Sequence, residues 1–136
     1  MSPRVLLVSG PQQQSRLLEV LEGREFQIDC ATGLLDALVR IGGAPHRYDL
    51  FLVDAELHDG SWHDLVEFSR NSEMAVPAIV CARLGDHQLW AEVLESGGYD
   101  LIVEPYVERE VTRILEGALN LRSVQSCTRP VLGGSP

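Results

Sequence analysis

The sequence predicts an α/β fold built on a doubly wound parallel sheet, and three observations predict it. Short apolar runs alternate with stretches of helical periodicity along most of the chain. Turn formers, mainly glycine and proline, mark nearly every junction between them. One apolar run, Leu50-Phe-Leu-Val53, ends abruptly in a carboxylate, Asp54, with the turn signal His58-Asp59-Gly60 close behind. A short apolar run bounded by turns reads as a strand buried on both faces. Open α/β sheets place their ligand sites beyond the carboxyl ends of such strands.

Each element can be justified in order. Arg4-Val-Leu-Leu-Val8 is a strand closed by the breaker Ser9-Gly10-Pro11. Leu17, Leu18 and Leu21 recur at helical spacing between Gln12 and Gly23. Phe26 to Cys30 alternates apolar and polar, and Ala31-Thr32-Gly33 leads into a helix carrying Leu34, Leu35, Leu38 and Ile41, ended by Gly42-Gly43. After the strand ending at Asp54, Ser61 can cap a helix with Trp62, Leu65 and Val66 on one face. Pro77-Ala-Ile-Val-Cys81 is the fourth strand. Asp86 to Ser96 is the fourth helix, with Leu89, Trp90, Val93 and Leu94, ended by Gly97-Gly98. Tyr99 to Val103 is the fifth strand, broken at Glu104-Pro105. The last helix, about Glu108 to Leu121, lines up Val111, Ile114, Leu115 and Ala118.

Strands alternating with helices in units this short predict helices on both faces of the sheet, since right-handed crossovers change side where the strand order reverses. The flavodoxin-like order 2-1-3-4-5 is the economical choice, and it gathers several strand ends around one crevice. Residues 1–121 are expected to form one domain, and 122–136 a flexible tail or truncated linker.

Composition narrows the function classes. A chain of 136 residues is enough for one domain with a real core, and 45% hydrophobic with 23% charged residues fits a soluble globule. Net charge is −9, which argues against gripping nucleic-acid phosphates. No apolar stretch approaches the roughly 20 residues needed to cross a bilayer, and the amino terminus lacks a signal peptide's pattern. Cys30, Cys81 and Cys127 are odd in number and form no CxxC, so zinc and dithiol redox sites have no support. A cytoplasmic protein is expected.

With these motifs in order, residues 4–121 closely resemble the receiver domain of bacterial two-component response regulators. Asp49-Leu-Phe-Leu-Val-Asp-Ala-Glu-Leu-His-Asp-Gly60 resembles the phosphoacceptor strand and loop, with Asp54 at the accepting position. Pro77-Ala-Ile-Val-Cys-Ala-Arg83 resembles the fourth strand and its end, and Gly97-Gly-Tyr-Asp-Leu-Ile-Val-Glu-Pro105 the fifth strand with its lysine–proline ending. The resemblance implies an acidic pair after strand one that holds Mg²⁺ with the acceptor, and a lysine after strand five that contacts the phosphoryl oxygens. It also implies a hydroxyl ending strand four and an aromatic on strand five that carry the switch. This chain departs at each position. Ser9 and Gly10 stand for the acidic pair, Ala82 for the hydroxyl, Leu101 for the aromatic and Glu104 for the lysine.

Magnitudes weigh on the chemistry. One carboxylate with a backbone carbonyl, here that of Glu56, is a weak Mg²⁺ site. A like charge from Glu104 at about 4–6 Å, with an effective dielectric near 20, costs roughly 3–4 kcal/mol. That cost falls if Glu104 turns to solvent or takes a proton, and it would raise the Asp54 pKa enough to make protonation a conceivable switch. Losing metal and lysine should slow phosphoryl transfer by orders of magnitude.

The expectation is therefore a degenerate, pseudo-receiver domain: a non-enzymatic, phosphorylation-independent signalling and protein-interaction module without cofactors. Its partner is a protein, with homodimerisation through helix four, strand five and helix five as one form, and neither nucleic acid nor membrane is engaged. The alternative is a live phosphoacceptor, phosphorylated on Asp54 by a histidine kinase and using Mg²⁺. A flavodoxin-like cofactor binder is poorly supported, because the loop after strand one lacks a phosphate-cradling run. Asp54, Glu56, Asp59 and Glu104 are a candidate rearranged divalent site, weighed against a solvated acidic loop. His58 and His63 fit neither a helix face nor a zinc finger. Trp90 and Tyr106 either mark a partner surface or cover the edge of the core.

Overall fold

The structure is a computed structural model that describes residues 2–43, 47–71, 76–85 and 87–132, with side chains placed through residue 120. Five parallel strands form the sheet: β1 (Arg4–Val8), β2 (Gln27–Ala31), β3 (Leu50–Asp54), β6 (Ala78–Ala82) and β7 (Asp100–Val103), in the order β2-β1-β3-β6-β7. Counting only these strands, that is the expected 2-1-3-4-5. The helices are α1 (Pro11–Leu21), α2 (Leu34–Gly43), α3 (Trp62–Asn71), α4 (His87–Glu95) and α5 (Glu108–Leu132). One feature was not foreseen: a two-stranded antiparallel hairpin of β4 (Glu56–Leu57) and β5 (Gly60–Ser61), directly after Asp54.

Side-chain alternation along the strands divides the core in two. Leu6, Val8, Phe51, Val53, Ala78 and Val80 face a cluster with Ala37, Ile41, Leu65, Val66 and Val93 from α2, α3 and α4. Val5, Leu7, Leu50, Leu52, Ile79, Cys81 and Ile102 face Leu17 and Leu21 of α1 and Val111, Ile114, Leu115 and Ala118 of α5. The central strands β1, β3 and β6 are therefore apolar on both faces, as parallel sheets require. The alternation places Asp54 on the same face as Leu50 and Leu52, above the α1 and α5 side.

Local chemistry fixes the ends of the helices. Pro11 opens α1 after Gly10, where a missing N–H costs nothing. Ser61 Oγ accepts the His63 N–H at 3.1 Å, and the Asp64 carboxylate reaches back to the Ser61 N–H at 3.4 Å, a reciprocal cap for α3. At the end of α4, Gly97 has φ of 99°, a conformation that favours glycine, and the Gly98 N–H donates to Val93 O at 2.8 Å.

The last helix is longer than the sequence reading expected. It runs past Leu121 to Leu132, so the stretch taken for a tail or linker is helical over most of its length. Residues 122–129 contain neither glycine nor proline, and Arg and Gln among them favour helix, so the breakers begin only at Pro130. Residues 133–136, Asp86 and the Cys127 side chain lie outside the described residues.

Candidate functional site

Asp54 ends β3 and is only 9% exposed. Its Oδ1 accepts the Glu56 N–H at 3.0 Å, and the Ala55 N–H continues the ladder to Cys81 O at 2.7 Å. Burial raises the Asp54 pKa, and the nearby charges of Glu56 and Glu104 raise it further. The Glu56 hydrogen bond and the Arg83 charge oppose that rise. The same enclosure holds the Cys81 thiol, Asp54's register partner on β6, well above its ordinary range.

The helper positions lie at the ends of the strands that neighbour β3 or follow them in the sheet. Ser9 is fully buried, and its Oγ donates to Gly10 O at 3.2 Å, so the hydroxyl is engaged locally. Gly10 caps α1 and brings no side chain. Ala82 ends β6, buried and without a polar side-chain atom, while its carbonyl accepts the Glu104 N–H at 3.1 Å. The Glu104–Pro105 peptide is cis.

Glu104 is not the isolated like charge that the sequence suggested. Arg16 of α1 donates from Nη1 to Glu104 Oε1 at 2.6 Å, so the anion is paired within the domain. Glu104 still raises the Asp54 pKa, as the smallest of the influences on it, of which burial is the largest. Glu104 Oε2 is buried without a hydrogen-bond partner. Beside the pair, Gln13 is 5% exposed and donates through Nε2 to the Tyr106 hydroxyl, while burial pushes the Tyr106 pKa far up. Sequence reasoning missed Arg16 and Gln13. Their signal is weak: a cation and an amide one turn apart on α1, at the end facing the strand-five loop.

These donors do not suit the Mg²⁺ that the resemblance implies. Positions 9 and 10 bring no carboxylate, and Ser9 Oγ is turned to its neighbour's carbonyl. Among the described residues no three acidic, histidine or cysteine side chains converge on a metal position. The rearranged divalent site is not assembled either. Asp59 gives both carboxylate oxygens to the Leu34 and Leu35 N–H groups, which lower its pKa. His58 is exposed near Asp59, whereas His63 Nε2 lies 2.8 Å from Ser96 Oγ.

The remaining candidates separate. Leu101 is partly buried against the α2–α3–α4 core and lines a shallow apolar depression with Gly85, His87, Trp90 and Val103. Trp90 is 46% exposed there. Tyr106 packs on the opposite side of the sheet, against the α1–α5 cluster. The two aromatics therefore do not share a surface: Tyr106 covers the core, and Trp90 faces outward.

Comparison with known proteins agrees with this geometry. The chain is similar to the response regulator protein PilR of Pseudomonas aeruginosa, 27% identical over 138 aligned positions that take in 98% of this chain and 31% of PilR. It thus spans about a third of the length of that curated relative. NtrX from Brucella abortus superposes with a TM-score of 0.84 at 16% identity, over 96% of this chain and 30% of that one. The non-phosphorylated receiver domain of HemR from Leptospira biflexa gives 0.73 at 26% identity, over 87% and 94%. A response regulator receiver domain protein from Clostridium thermocellum gives 0.80 at 13% identity, over 90% and 98%. No protein-family model matches the chain. The chain has the receiver-domain fold of response regulators.

Proposed function

We propose that this receiver domain works as a non-enzymatic interaction module in the cytoplasm, without a cofactor and without the aspartyl phosphorylation cycle. The observation that carries this reading is the Arg16–Glu104 pair. A phosphoryl-binding lysine would have to stand at position 104, and an anion already neutralised by α1 occupies it. Gly10 and Ala82 supply no carboxylate or hydroxyl, and the Ser9 hydroxyl is engaged with Gly10 O, so these positions do little to share the charge of a phosphoryl group. The partner is a protein, which docks on the face formed by α4, β7 and α5. Trp90, Leu101 and Val103 give that face an apolar centre, and aromatics are enriched at such hot spots. A second copy of the chain is one form that partner can take. No helix among the described residues is long and apolar enough to cross a membrane.

A second reading has one observation in its favour: Asp54 keeps its carboxylate at the carboxyl end of β3. In that reading a histidine kinase phosphorylates Asp54 within a longer regulator. Incubation with Mg²⁺ and acetyl phosphate or beryllofluoride, followed by intact mass and NMR, separates the two. The interaction reading expects no adduct. A stable adduct that disappears in Asp54→Asn overturns it.

A further inference from the structure

The loop after Asp54 is bonded at both ends. Asp54 Oδ1 holds the Glu56 N–H, and Glu56 is the first residue of β4. Within the hairpin Glu56 pairs with Ser61, and Leu57 with Gly60. At its tip Asp59 reaches across to α2, where Oδ1 accepts the Leu34 N–H at 2.7 Å and Oδ2 the Leu35 N–H at 2.9 Å. The first N–H groups of a helix have no partner inside it, so one carboxylate from another element closes the start of α2. The approach is tight. A Cβ on Gly33 would lie 2.6 Å from both Asp59 Oδ1 and His58 Nε2, and one on Gly60 would lie 2.5 Å from Leu34 Cδ2.

Toward α4, two positions that could relay a hydrogen bond from the pocket are apolar. Ala82 carries no side-chain polar group, and Leu101 is an aliphatic side chain packed on the α2–α3–α4 core. Asp54 is thus joined through the hairpin to the start of α2. Among the described residues its carboxylate makes no hydrogen bond to α4, and the route from the hairpin through Ser61 and His63 reaches Ser96, after the end of that helix.

We propose that the β4–β5 hairpin, clamped by Asp59, couples the charge on Asp54 to the start of α2 and leaves the α4–β7 face indifferent to it. This goes beyond the interaction reading, because it concerns which part of the domain senses Asp54 rather than whether a phosphoryl group arrives. Coupling of this kind is a matter of linked free energies, and a paired-variant experiment measures it.

Amide NMR on the intact chain provides the test, with Asp54→Asn removing the charge while keeping an acceptor for the Glu56 N–H. The expected result is that the Glu56, Asp59, Leu34 and Leu35 amides shift, while the Trp90 indole and the Leu101 and Val103 amides stay in place. Asp59→Ala should speed hydrogen exchange at Leu34 and Leu35 by about fivefold, the usual scale for a lost helix cap. In that background, Asp54→Asn should no longer move those two amides. Gly33→Ala, which parts the clamp sterically without changing a charge, should abolish the response in the same way. The proposal is overturned if Leu34 and Leu35 ignore Asp54→Asn, if they respond equally in both clamp variants, or if the largest shifts fall at Trp90 and Leu101. A phosphoryl group transferred from acetyl phosphate to Asp54, with release of acetate, would remove the interaction reading and leave this result unaffected.

Discussion

Arg16 Nη1 donates to Glu104 Oε1 at 2.6 Å, joining α1 to the segment after β7 across 88 positions of sequence. The guanidinium is half exposed, while the carboxylate keeps one oxygen buried without a partner. That asymmetry decides what the pair contributes. An exposed ion pair is worth little in itself, but removing Arg16 leaves a partly buried carboxylate unopposed.

Arg16→Ala should therefore lower stability by about 1 kcal/mol, somewhat more than an ordinary exposed ion pair contributes. Glu104→Lys alone should cost more, because it sets two cations together. Combining Arg16→Glu with Glu104→Lys should recover most of the loss. Urea unfolding of the wild type, Arg16→Glu, Glu104→Lys and the swapped pair measures this, with Arg16→Ala alongside. Strict additivity would show that the two side chains are not coupled.

Asp54 gives a pH prediction with a definite sign. Its pKa is raised on folding, chiefly by burial. A carboxyl raised in this way binds protons more tightly when folded, so it favours the fold below its unfolded value. That contribution is lost as pH rises through the folded value. At about pH 7 the buried charge therefore weakens the fold, and Asp54→Asn should unfold at a higher temperature than the wild type. Near pH 2, well below the ordinary aspartate value of about 3.9, that advantage should vanish. Asp59 has the opposite sign, because the Leu34 and Leu35 N–H groups lower its pKa. Its contribution is present above the unfolded value and disappears as pH falls through the folded one. Thermal melts of the wild type, Asp54→Asn and Asp59→Asn at both pH values check both signs.

The fold was legible because each strand announces itself locally. Leu50 to Val53 is apolar throughout, and a central parallel strand has no other composition available. Asp54, Ser9, Ala82 and Glu104 could likewise be placed at or just after strand ends from the sequence. Their partners were not legible. Nothing in the sequence tells Arg16 to meet Glu104 rather than solvent, because that contact depends on how α1 lies beside the β7–α5 connection. The hairpin after Asp54 was missed for a related reason: two-residue strands lie below any periodicity signal, and Asp59 shows its role only once α2 is beside it.

The Ser61 cap is one local device that the sequence did reveal. With Ser61 Oγ on the His63 N–H and Asp64 on the Ser61 N–H, α3 begins with two donors satisfied reciprocally. Ser61→Ala should destabilise the domain by about 1 kcal/mol. Ser61→Asp should retain most of the stability, because aspartate caps equally well. Chemical denaturation distinguishes a capping role, which aspartate rescues, from a packing role, which it does not.

Trp90 and Tyr106 should behave oppositely when altered. Tyr106 packs on the α1–α5 core, and its hydroxyl accepts from the buried Gln13 Nε2. Tyr106→Phe would leave that amide unpaired and should cost about 1–2 kcal/mol of stability. Trp90 stands 46% exposed over the depression formed with Leu101 and Val103. Trp90→Ala should leave stability within about 0.5 kcal/mol of wild type. If the α4–β7 face is the docking surface, the same change should weaken association by about 2 kcal/mol, the scale of a central hot spot. Sedimentation equilibrium of the wild type and Trp90→Ala tests self-association, with unfolding midpoints of both measured alongside. A loss of stability equal to that of Tyr106→Phe would instead place Trp90 in the core, and the docking surface would have to be sought elsewhere.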